Sequence, residues 1–119
     1  MNKEDLLLFL QDIVEQDGMF TYLRIQYTEY KSYNLEIIKK IIVKGLKTNL
    51  LEISKNIKKG EWVYLELDNA MEIVNNTDFW YLETNIYEVT FIDIPKHIGI
   101  LFNANEPRIP DEFLQFIAD

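Results

Sequence analysis

Apolar residues recur along this chain with two different periods, and the switch between them fixes the class of fold it can adopt. At the N-terminus Leu6, Leu7, Leu10, Ile13 and Val14 return every three or four positions, the spacing of one helix face. Glu4 and Asp5 fall in the first turn, where the helix dipole favours acids, and Gly18 follows as a C-terminal stop. In EWVYLEL the period drops to two: Val63, Leu65 and Leu67 alternate with Trp62, Tyr64 and Glu66, as on a pleated strand. MFTYLRIQYTEY alternates as well, with Met19, Leu23, Ile25 and Tyr27 sharing one face with Thr21, and Arg24, Gln26 and Thr28 sharing the other with Phe20 and Tyr22, and predicts a half-buried strand.

From Asn34 the helical period returns through Leu35, Ile38, Ile41 and Ile42, with Lys39, Lys40, Lys44 and Lys47 as the solvated face. The β-branched run EIIKKIIV would also suit a strand, and Leu50 to Lys59 fits either state. Asp68 is placed to cap a short helix through Met71, Ile73 and Val74. Phe79 to Leu82 and Ile86 to Ile92 read as two strands around Thr84-Asn85 or as one bent strand, and Ile98 to Phe102 as a last strand. After Pro107 and Pro110, Asp111-Glu112 open a closing helix that lays Phe113, Phe116 and Ile117 on the core. The expectation is an α+β fold, a mostly antiparallel sheet with helices at both chain ends packed on it. With 119 residues, 48% of them hydrophobic, the chain holds one core, so residues 1–119 are read as a single domain.

Several chemistries lack their residues. Without cysteine there are neither disulfides nor thiolate nucleophiles, nor the usual structural zinc sites. His97 is the single histidine, and IPKHIGILF around it contains no serine elbow, so a hydrolase built on His97 is the weaker reading. The four glycines stand singly and form neither a phosphate loop nor a dinucleotide fingerprint, and no stretch follows calcium-loop spacing. The sequence therefore predicts a non-enzyme with no catalytic residues, no cofactor and no metal. The N-terminal apolar run is too short for a spanning helix and lacks a cleavage site, so a cytoplasmic protein with no membrane partner is expected.

Charge is distributed unevenly. Residues 1–30 carry −4, residues 31–60 carry +6 and residues 61–119 carry −10, for a net −8. An acidic field of that size repels nucleic acid, whose binding rests on phosphate neutralisation, and attracts a basic protein partner instead. Within the acidic part, EWVYLELD and DFWYLE set rings between carboxylates. If Val63 and Leu65 face inward, Trp62 and Tyr64 face either a covering helix or a partner; of Phe79 and Trp80 only one is expected in the core.

On EWVYLELD, DFWYLE and the tail PDEFLQFIAD, together with small size and an empty motif inventory, the chain resembles immunity proteins of bacterial polymorphic-toxin and contact-dependent inhibition systems. That resemblance implies an acidic inhibitor that occludes the active-site groove of a basic, nuclease-like toxin domain. The residues expected at such an interface are Trp62, Tyr64, Asp68, Glu72, Asp78, Trp80, Glu83 and Glu88. Two other readings use the same charges: a phage-encoded acidic mimic of nucleic acid that inhibits a defence nuclease, and an RNA- or protein-binding module built on the lysine segment 31–60.

Overall fold

The computed structural model describes residues 2–15, 20–28, 34–58, 61–81, 90–93 and 109–117. The expectations for Gly18, for the strand at Ile98 to Phe102, for His97, for Glu83 and Glu88, and for most of the segment before Thr90 lie outside the described residues. Over the described chain the order is α1 (Lys3–Glu15), α2 (Phe20–Thr28), α3 (Leu35–Lys47), β1 (Glu52–Lys58), β2 (Glu61–Tyr64), α4 (Leu67–Asn75), a 3-10 turn η1 (Thr77–Tyr81), β3 (Thr90–Asp93) and a second 3-10 turn η2 (Asp111–Phe116). The fold is α+β, with an antiparallel sheet and helical elements towards both ends of the chain.

Among the described residues the sheet has three strands in the order β2-β1-β3, both pairings antiparallel. Pairing decides the ambiguous segment after Leu50: Ile53 lies opposite Ile92, and both are buried. The core continues from that pair into the helices. Leu6, Phe9, Leu10 and Ile13 of α1 join Ile38, Ile41, Ile42 and Leu46 of α3, with Val74, Trp80 and Phe113 closing the far side. α1 packs on β3, and η2 packs on α3.

α2 overturns a sequence expectation. The segment predicted as a half-buried strand is helical from Phe20 to Thr28, and its buried residues are Phe20, Leu23 and Tyr27, spaced by three and four. Positions 23 and 27 satisfy both a two-residue and a helical period, so alternation alone misassigned them. What selects the helix is its fit to α1: the Tyr27 ring meets Phe9 edge-on at 5.0 Å, and its hydroxyl donates to the Leu8 carbonyl and the Asp12 carboxylate.

The ends of α3 account for its position in the chain. Asn34 caps the start by accepting from the Ile37 N–H at 2.9 Å. At the other end Asn49 takes a left-handed backbone with φ 61°, the Leu50 N–H donates to the Gly45 carbonyl at 2.8 Å, and the Asn49 N–H donates to Leu46 at 3.3 Å. This is a Schellman cap with asparagine in the place glycine usually takes. It turns the chain so tightly that a Cβ on Gly45 would lie 2.5 Å from Cγ of Leu51.

Candidate functional site

β2 is an outer strand, paired with β1 among the described residues, and all four of its residues are exposed. The ladder pairs Tyr64 with Ser54, Val63 with Lys55 and Trp62 with Asn56, and slips by one residue before Lys58 pairs with Glu61. The Leu65 N–H extends it by donating to the Ile53 carbonyl at 2.9 Å. Since side chains alternate across a sheet, Val63 and Leu65 share the face of buried Ile53, whereas Trp62 and Tyr64 share the other face. Only Leu65 reaches the core from that segment. Val63 remains 41% exposed, and Trp62 and Tyr64 are 45% and 59% exposed.

Beyond β2 the chain turns into α4. Leu67, expected on the strand face with Val63 and Leu65, is instead the first helical residue and is exposed. Glu66, rather than Asp68, occupies the N-cap position, and its side chain makes no capping bond; Asp68 sits in the first turn, where its charge complements the helix dipole. Asp68 and Glu72, four residues apart, lie on one side of α4, and both are exposed. Glu61, Trp62, Tyr64, Glu66, Leu67 and Asp68 thus form one continuous surface segment of rings and carboxylates.

The other expected interface residues are distributed differently. Trp80 is completely buried and offers no surface. DFWY is not a strand: η1 turns Trp80 into the core against Phe20 at 4.7 Å, leaves Phe79 half-buried and exposes Tyr81. Arg24 of α2 fixes this turn from outside. Its Nε donates to the Trp80 carbonyl at 3.1 Å, and its guanidinium lies 4.4 Å from the centre of the Tyr81 ring. Asp78 is exposed but lies beyond the far end of α4, a nine-residue helix about 13 Å long, and so stands apart from the β2 segment.

Lysine 39 also departs from expectation. Rather than belonging to a solvated face, it is 6% exposed, its ammonium donating to the Thr77 hydroxyl and lying 3.8 Å from Glu36. Lys40 and Lys47 are exposed and Lys44 is half-buried. Among the described residues no group of three or more His, Asp or Glu side chains is placed to hold a metal, and no helix is long and apolar enough to cross a membrane.

No protein-family model, curated protein or solved structure matches the chain. The functional reading therefore rests on the surface itself.

Proposed function

We propose that the protein is an inhibitory binding protein that docks a basic protein domain through β2 and the start of α4. The observation that carries this reading is the exposure of Trp62, Val63 and Tyr64 on the strand that is outermost among the described residues, flanked by Glu61, Glu66 and Asp68. Exposed rings are costly to leave in water, and chains normally blunt strand edges that carry them. Here the blunting is done by carboxylates, which repel acidic surfaces and copies of this acidic chain while admitting a cationic one. Tyr and Trp supply the large, stiff contact area typical of interface hot spots, and the acids steer encounter and fill a groove that would otherwise hold phosphates. Immunity to a nuclease-like toxin domain is the function we assign to that chemistry.

The test is a neutralisation assay on the product of the gene immediately upstream. That product should arrest growth when expressed alone, and the wild-type chain should restore growth and form a stable complex. Trp62→Ala combined with Tyr64→Ala should abolish protection and weaken the complex by roughly a hundredfold or more, the scale of two hot-spot residues. A double variant that protects as well as the wild type would exclude this surface, and an upstream product without toxicity would remove the immunity assignment.

A further inference from the structure

A second surface, unrelated to β2, has the opposite sign. Along α3, Lys39, Lys40, Lys44 and Lys47 line a groove of about 460 Å3, within the size range of small-molecule sites. Its other walls come from distant parts of the chain: Asn75 at the end of α4, and Gln115 and Phe116 of η2. Four ammonium groups face one carboxylate there, that of Glu36, and Glu36 is the acid next to Lys39. Among the described residues, Lys40, Lys44 and Lys47 have no carboxylate partner. In a chain of net charge −8, three cations gathered on one wall, with Glu36 the one carboxylate among the described lining residues, make that wall locally positive.

We propose that this groove binds a small, multiply phosphorylated ligand with a ring, of the nucleotide class. The ammonium groups of Lys40, Lys44 and Lys47 supply point-charge contacts to phosphates, the role lysine plays in many phosphate sites. Lys39 is tied to Thr77 and holds a buried positive charge behind them. Val43 and Phe116 give the same groove an apolar side, and the Asn75 and Gln115 amides can both donate and accept. Size selects a small ligand over a polynucleotide. Charges are screened beyond about 8 to 10 Å at ordinary ionic strength, so a ligand held inside the groove senses these lysines, whereas a strand running past it meets the acidic remainder of the molecule. This assignment does not depend on the inhibitory role of β2.

The experiment is a calorimetric titration of the full chain with ATP, inorganic tripolyphosphate, adenosine and a twenty-residue oligouridylate, at about 50 mM and about 300 mM salt. ATP should bind most tightly, tripolyphosphate more weakly and adenosine not measurably, with ATP affinity falling several-fold at the higher salt. Lys40→Glu with Lys47→Glu should weaken ATP binding by roughly tenfold or more, the loss expected for two charge-assisted contacts. Lys3→Glu with Lys55→Glu makes the same change in net charge at exposed positions outside the groove and should shift affinity by less than about threefold. Unchanged circular dichroism melts establish that both variants fold. Absence of ATP and tripolyphosphate binding at low salt, or equal losses in the two double variants, would overturn the site. Equal affinity for tripolyphosphate and ATP would remove the ring from the ligand class, and tighter binding of the oligouridylate would make the groove a nucleic-acid surface instead.

Discussion

The indole Nε1 of Trp80 donates to the carbonyl of Val74 at 3.0 Å, and both residues are wholly buried. Val74 is in the last turn of α4, where carbonyls have no intrahelical partner. The Asn76 N–H serves Glu72 and Ile73, and the indole serves Val74. One ring thus fills the core beside Phe20 and completes the end of a helix. Trp80→Phe should cost about 1–3 kcal/mol through the carbonyl it leaves unpaired, and Trp80→Ala about 3–5 kcal/mol through the added cavity. Urea unfolding separates the two; equal midpoints for Trp80→Phe and the wild type would show that the bond contributes nothing.

Gly45→Ala should destabilise despite raising helix propensity by about 1 kcal/mol. The added methyl would meet Cγ and Cδ1 of Leu51 at 2.5 Å, and overpacking of that kind costs about 1–3 kcal/mol. A double-mutant cycle with Leu51→Ala should recover most of the loss, because the two atoms at 2.5 Å are then gone and only Cβ, at 3.0 Å, remains close. If Gly45→Ala costs the same in both backgrounds, the close approach is not its cause.

Lys39 and Thr77 should respond asymmetrically. Thr77→Val deprives a buried ammonium of its hydroxyl partner and should cost about 1–3 kcal/mol. Lys39→Met removes the buried charge itself while keeping much of the stem, and should be near neutral or stabilising. Thermal melts that rank the two variants the other way would contradict the pairing.

Trp62→Ala and Tyr64→Ala should leave stability within about 1 kcal/mol of wild type, since both side chains are exposed and neither belongs to the buried core. The contrast with Trp80→Ala is the check: a large loss of stability from either exposed ring would mean that it is covered by the fold and not available for docking.

Where one period dominated, the sequence was legible. α1, α3 and α4 follow from their apolar spacing, whereas alternation sets Trp62 and Tyr64 opposite Val63 and Leu65 without deciding between a covering helix and an open surface. Legibility failed at α2 and η1, where aromatic and β-branched residues favour strands locally but tertiary contacts select helical turns: Tyr27 on Phe9, and Trp80 on Phe20 with Arg24 over Tyr81. Of the expected interface, Trp62, Tyr64 and Asp68 lie along one short segment, Glu72 follows a turn later, Asp78 is remote and Trp80 is internal. The lysine segment was legible as a cationic stretch, but the groove it lines was not. Its cations are adjacent in sequence, but the residues that make them a groove, Asn75 and Phe116, are far along the chain, and no local pattern joins them.

The two tryptophans occupy opposite environments, one wholly enclosed and one substantially in water. Intrinsic fluorescence therefore contains two separable signals. Emission from the enclosed indole is short in wavelength, protected from iodide and lost on denaturation, whereas that from the outer strand is red-shifted and quenchable. A partner that lands on the strand shields the second and leaves the first untouched, so the unlabelled protein distinguishes docking from unfolding in a single spectrum.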